Sequence, residues 1–354
     1  MQENSLTSRK SGFENFKVRF LGALKTNSGV FAALIILYIL GGLLSPKFLT
    51  LSNQLSLLRS LSTTAMCAFG MTLVIMVGQI DLSMGSCMSL AGCLSAVLIS
   101  RHGWSVMGAV ILSVLAVGII VGATNSVLIN ELKMPALIGT MATQFAARGV
   151  SYLISDSTVV SVSAKASPLF GEIGTAYLWD TVPVAGVYVV VVFIILWLVL
   201  NRTVFGRHIY AVGGNREAAE FSGIKAKRVI FWCYIIMGII SSFAGIVVTS
   251  RLGAGQPTIG DGSEFDAIVS SVVGGVSMNG GVGTLTGTFA GAIIFQTITN
   301  LLNLMGIDAA YQRVAKGLII VVAVYINLTR GKAAGRLGRG KKKSTAGASA
   351  AAGQ

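Results

Sequence analysis

Residues 105–130 contain no aspartate, glutamate, lysine or arginine, and neither do residues 229–250 or 267–307. These charge-free apolar runs limit the fold more than any other feature. About 20 apolar residues make a helix long enough for a hydrocarbon core of about 30 Å. Inside that core a backbone must satisfy its own polar groups, which a helix does residue by residue. The rest of the chain agrees: 53% of it is hydrophobic and 11% charged, against about 25% charged in soluble domains. The chain therefore reads as an all-α, polytopic membrane protein. Its 43 glycines fall inside apolar runs with no triplet period, as expected where helices pack through small residues.

Polar breaks place crossings at 30–44, 55–77, 84–100, 105–130, 136–154, 184–200, 229–250, 265–278, 284–304 and 311–328. About ten transmembrane helices are expected, with a range of eight to ten because the first and eighth crossings are short. A cytoplasmic segment, 1–28, would precede one transmembrane domain, 29–329. A basic tail, 330–354, would follow as a disordered cytoplasmic segment. The net charge of +14 does not point to nucleic acid, because the basic residues sit at span ends and in the tail. The N-terminal segment, the turn at Lys133, the polar island 202–228 and the tail hold five, one, six and seven Lys and Arg, 19 of the chain's 27. Retained positive charge marks the cytoplasmic face, so an even number of crossings separates island from tail and both termini are expected in the cytoplasm.

Catalytic signatures are missing: the sequence has no G-x-S-x-G, H-E-x-x-H or Walker A motif. No catalytic residue, metal or cofactor is expected on this chain. Cys67, Cys87, Cys93 and Cys233 lie in apolar segments without metal spacing and read as small buried hydrophobes. Polar residues at membrane depth are costly and so are candidates for a translocation pathway. They are Asp81, Asn125, Asn300 and Asn303, with Glu264 and Asp266 at the outer end of the eighth crossing. Asp81 could instead cap the third crossing through Ser83, and the asparagines could bridge helices. Arg148 is expected to snorkel outward. Gly283, Gly287 and Gly291 repeat every four residues and mark a helix-packing face at the start of the ninth crossing. Within the island, 217–221 reads as a short surface helix ended by Gly223, a feature suited to docking a partner.

Several segments taken in order resemble one family. Gly78-Gln79-Ile80-Asp81-Leu82-Ser83 resembles a Gly-Gly-Ile-Asp-Leu-Ser motif, with Gln79 in place of the usual second glycine. Met134-Pro135-Ala136-Leu137-Ile138-Gly139-Thr140 with Arg148-Gly149, the island's Gly213-Gly214-Asn215, Ala218-Ala219 and Ser222-Gly223-Ile224, and Glu264-Phe265-Asp266-Ala267-Ile268 continue the pattern. Val273-Gly274-Gly275-Val276-Ser277, Gly280-Gly281-Val282-Gly283-Thr284, Tyr311-Gln312 and Lys316-Gly317-Leu318 complete it. Over roughly residues 30–330 the chain is similar to the permease subunits of sugar ATP-binding-cassette importers of the ribose, xylose, galactose and autoinducer-2 type. The resemblance implies import of a monosaccharide across a bacterial inner membrane by alternating access, with no enzymatic activity on this chain. ATP and Mg would be held by a separate ATPase subunit. It also implies a second permease copy or homologue, and an extracytoplasmic sugar-binding protein as the source of substrate. The island residues Gly213, Gly214, Asn215, Glu217, Ala218, Ala219, Ser222 and Gly223 would then form the coupling contact with the ATPase.

Overall fold

The computed structural model describes residues 28–163, 167–322 and 325. Nearly all of the N-terminal segment 1–28, the whole tail 330–354 and the last residues of the tenth expected crossing lie outside the described residues. Two compact units meet at Ile307 and Asp308.

The first unit is built almost entirely of helices. It begins with α1 (Ser28–Leu44), α2 (Leu51–Met76), α3 (Met84–Ser100), α4 (Val106–Asn130) and α5 (Ala136–Ile154). A polar connection follows with β1 (Val160–Ser161), the short helix α6 (Pro168–Thr175), and a small hairpin of β2 (Tyr177–Leu178) and β3 (Val182–Pro183). Next come α7 (Val184–Arg202), α8 (Val204–Gly214), α9 (Arg216–Phe221) and α10 (Ala226–Leu252). The unit closes with β4 (Ala254–Gly255), α11 (Ser263–Val273) and α12 (Leu285–Leu304). By length and composition α2, α4, α7, α10 and α12 can each cross a membrane, and α3 is a shorter apolar helix. Local signals set the starts: Ser105, Thr203 and Thr284 each accept a backbone N–H three residues on, at Gly108, Gly206 and Gly287.

Successive long helices run in opposite directions. At the end that carries α8 and α9, here the island end, Lys227 pairs with Glu131 at 2.8 Å, joining the foot of α10 to that of α4. At the far end Arg101 pairs with Asp156 at 2.6 Å, and β1 pairs antiparallel with β4. Gly174 of α6 donates its N–H to Ser250 Oγ of α10 at 2.7 Å. Between the ends, helices touch through glycine. A Cβ on Gly118 of α4 would lie 2.6 Å from Ile239 N on α10, and one on Gly122 would lie 2.6 Å from Tyr234 O. Lipid is as apolar as leucine, so association rests on such close packing rather than on burial from water. Large apolar side chains such as Leu43, Ile120 and Phe145 are exposed, as hydrocarbon contact requires.

Two expectations need correction. The eighth crossing is not a helix over 265–278. Its helix, α11, has 11 residues and reaches only about 16 Å at about 1.5 Å per residue. Gly260 and Gly262 precede it and Gly275 follows it, all with positive φ, so glycine conformations break the span on both sides. Gly283 does not lie on the helix that Gly287 and Gly291 share, because α12 starts at Leu285 with Thr284 as its cap. Gly283 instead packs beside Val276 and Met76, while Gly291 and Gly287 seat α12 against Ser270 of α11 and its C-cap Gly274. The second unit, from Asp308, is described as a helix over 309–322 whose start is fixed by Ala310 N–H donating to Asp308 Oδ1 at 2.8 Å.

Candidate functional site

The turn between α2 and α3 carries the first candidate. Gly78 takes φ +75° while Gln79 stays in ordinary backbone space and donates its N–H to Val74 O. The left-handed position is therefore the glycine that this chain keeps, and the glutamine causes no strain. Asp81 Oδ1 accepts from Ser83 N at 2.8 Å and from Ser83 Oγ at 2.6 Å. Asn125 Nδ2 of α4 donates to Ser83 Oγ at 2.7 Å and to Asp81 Oδ1 at 3.3 Å. Thr140 of α5 accepts from Leu82 N, and Tyr234 of α10 donates to Ile80 O. One buried polar turn thus ties together α4, α5 and α10. Asp81 and Asn125 belong to the same network, which sequence spacing alone does not reveal.

The island folds as two helices rather than one. Asn215 ends α8 and caps α9, its Oδ1 accepting from Ala218 N at 2.9 Å. Ala219 is buried, Ser222 Oγ donates to Ala218 O, and Gly223 turns the chain with φ +83°. Glu217 is exposed, Arg216 pairs with Glu220 at 3.1 Å, and Phe221 is 92% exposed. Beneath them Gly213 lies directly against Met76 O, and a Cβ there would stand 2.5 Å from Gly281 N. Gly281 N–H donates to Met76 O at 2.9 Å, and Tyr210 OH donates to Gly283 O at 2.9 Å. Three glycine-bearing segments that are far apart in sequence, 76–78, 213–214 and 280–281, meet backbone to backbone at the island end. Sequence reasoning missed this junction; its signal was the Gly-Gly pair in two of the three segments.

The remaining candidates separate. Asn300 of α12 forms a reciprocal amide pair with Asn53 of α2, at 3.0 and 2.9 Å, whereas Asn303 is exposed. Glu264 is not at an outer rim: it is 2% exposed and accepts from Gln144 Nε2 of α5 at 3.1 Å, while Asp266 is half-buried. Arg148 does not snorkel outward. Its Nη1 donates to Pro257 O at 2.5 Å and Ile259 O at 2.8 Å. Nearby backbone carbonyls left free by the broken eighth crossing bind the guanidinium more strongly than a distant interface could.

These features define a multi-pass helical membrane protein with a polar two-helix island at one end and a broken crossing inside it. The family model described as branched-chain amino acid transport system / permease component matches residues 53–324, and the chain belongs to this family of transport-system permeases. It is 38% identical over 317 residues to the ribose import permease protein RbsC of Haemophilus influenzae, covering 89% of this chain and 96% of that protein. Identity to the ribose import permease protein RbsC of Bacillus subtilis is 39% over 314 residues, with 89% and 96% covered. The L-arabinose transport system permease protein AraH of Escherichia coli is 34% identical over 338 residues, with 93% and 98% covered. No solved structure matches the chain.

Proposed function

We propose that the chain is the transmembrane permease subunit of an ATP-binding-cassette importer for a monosaccharide, a ribose-like pentose, a hexose or a related polyol. Alternating access would be driven by a separate ATPase subunit, which holds the ATP and Mg. The similarity to ribose and arabinose permeases over nearly their full length supports the substrate class. In this reading the chain crosses a bacterial inner membrane about ten times with both termini in the cytoplasm. Residues 29–329 form one transmembrane domain between the segment 1–28 and the basic tail 330–354. A second permease copy or homologue completes the pathway, and an extracytoplasmic sugar-binding protein delivers substrate.

The observation that carries the proposal is the seating of the island. Helices α8 and α9 rest through Gly213 on the ends of two membrane segments, at Met76 and Gly281, yet leave Glu217 and Phe221 outward. A push on α9 is passed by rigid backbone contact to the Asp81 turn and to the 280–281 turn, the kind of bistable coupling that alternating access needs. Co-purification tests it, with the tagged permease expressed beside its ATPase. Phe221→Asp and Gly214→Trp, both at surface positions, are expected to release the ATPase while the permease still inserts and elutes as a folded species. Retention of the ATPase by both variants would remove the island from the coupling role. Uptake that follows an imposed ion gradient without ATP would replace the reading with an ion-driven transporter.

A further inference from the structure

The stretch 256–262 lacks regular structure, yet it runs alongside the middle of α3. A Cβ on Gly255 would stand 2.8 Å from Ala96 Cβ, and one on Gly260 would stand 3.0 Å from Met88 Cβ. Met88 lies twelve residues before Ser100, the last residue of α3, which is about 18 Å along a helix and past the middle of a core about 30 Å thick. Irregular backbone at that depth is tolerated only where protein buries it or where it lines water. The segment is buried on one side and open on the other. Pro257, Ile259 and Glu264 are buried, whereas Thr258 and Asp261 are exposed. A carboxylate exposed to hydrocarbon is strongly disfavoured, so the Thr258–Asp261 edge is suited to water or a second permease copy rather than to lipid.

The buried side of the segment is held by α5 and α3. Arg148 holds the carbonyls of Pro257 and Ile259. Gln144 holds Glu264 Oε1 from the same helix, and Ser86 Oγ of α3 donates to Gln144 O at 2.8 Å. Gly85 and Gly260 touch backbone to backbone, so the loop cannot shift along α3 without separating from it. Its own turns close through Ile259 N–H to Gln256 O and Asp261 N–H to Thr258 O, at 3.1 and 3.2 Å. A loop held this firmly presents its exposed groups in fixed positions, which suits selective contact with a passing solute.

We propose that the Thr258–Asp261 edge of the broken crossing lines the translocation route, with Asp261 accepting hydrogen bonds from the hydroxyls of a neutral polyhydroxylated substrate and Arg148 as the positioning residue for that edge. The assignment of Asp261 to a sugar rests on the proposed function; the lining of the route does not. In the full membrane-embedded transporter, cysteine is introduced singly by Thr258→Cys, Asp261→Cys and, as a control, Phe145→Cys, a position on α5 that is 71% exposed on an apolar face. The four native cysteines are buried and give a low background. A membrane-impermeant cationic methanethiosulfonate is expected to label the Thr258→Cys and Asp261→Cys variants at least about tenfold faster than the Phe145→Cys variant, because it reacts with thiolate and a thiol ionises only in water. Adding Arg148→Lys, which keeps the charge but loses the planar, pre-organised guanidinium, is expected to change the rate at Thr258→Cys. Labelling of both variants as slow as the control overturns the route.

The substrate part is read in the assembled importer with radiolabelled ribose. Asp261→Ala is expected to raise KM about tenfold, the scale of one hydrogen bond to a charged group. An unchanged KM overturns the role of Asp261. A wild-type importer that takes up no pentose or hexose overturns the monosaccharide reading and the Asp261 contact with it, while the labelling pattern still decides whether this edge lines the route.

Discussion

At the scale of single residues, the island-end junction makes a sharp contrast between neighbours. A Cβ on Gly213 would overlap Met76 O and come within 2.5 Å of Gly281 N, all backbone atoms that no rotamer change can move. Gly214, one residue on, has nothing within 4 Å of the same position. Gly213→Ala should therefore cost about 1–3 kcal/mol, the usual penalty of overpacking, and lower the melting temperature of the purified permease, while Gly214→Ala should leave it nearly unchanged. Indistinguishable melting of the two variants would refute the contact. Asp81 allows a second comparison. Asp81→Ala removes the acceptor of Ser83 N–H and Oγ–H in a buried turn, and an orphaned buried donor costs about 1–3 kcal/mol; Asp81→Asn keeps an acceptor oxygen and should melt between wild type and alanine. The sequence singled out Asp81 and Asn125 because polar groups are rare at membrane depth, and Glu264 as an acid at the outer end of a crossing. It named Ser83 as a partner for Asp81, two residues on, and the two do meet, but it could not name the partners 42 to 120 residues away. Arg148 was misread for the same reason: snorkelling is what an arginine does when no acceptor is near, and its acceptors are carbonyls more than 100 residues later in the chain.

At the scale of elements, legibility follows the strength of the local signal. Helices α3 and α5 occupy 84–100 and 136–154, where polar breaks placed them, because a charge-free run bounded by polar residues leaves little choice. Helix α11 was read as running five residues past its end, to 278 rather than Val273, since Gly274 and Gly275 look like two more apolar residues in a hydropathy count and act as a stop only through backbone conformation. The island was legible as a surface helix but not as a pair, because Asn215 had to be recognised as a cap between them. That cap yields a prediction. Helix α9 has six residues, far too few to hold together unaided, so its order depends on Asn215 Oδ1 and on the burial of Ala219. Asn215→Ala should cost about 1 kcal/mol and raise hydrogen exchange across residues 216–221 about fivefold, whereas Asn215→Asp should preserve protection. Equal exchange in wild type and alanine would mean that the helix is held by something other than its cap.

For the whole molecule, the question is which segments share a face of the membrane, and the broken crossing decides it. A segment containing only an 11-residue helix could enter and leave on the same side. Here it does not: it leaves β4, which pairs with β1 at the far end, and arrives at Gly281, whose N–H meets Met76 O at the island end. The turns of 256–262 supply the far-end part of the passage and α11 the part toward the island end. With α10, this broken segment and α12, the crossing expected from sequence over 311–328 would be the fourth passage between island and tail, and an even number would return the chain to the same face. The charge distribution asks for the same result independently, since island and tail together carry 13 of the 27 Lys and Arg, and positive segments are retained in the cytoplasm. Cysteines introduced by Glu217→Cys in α9 and by Ser344→Cys in the tail should both resist an impermeant maleimide added to intact cells and both react once the membrane is permeabilised. Reaction of one but not the other in intact cells would require an odd count. The sequence-assigned last crossing would be the first passage to discard, because the passage through the broken segment is tied at both ends by backbone hydrogen bonds.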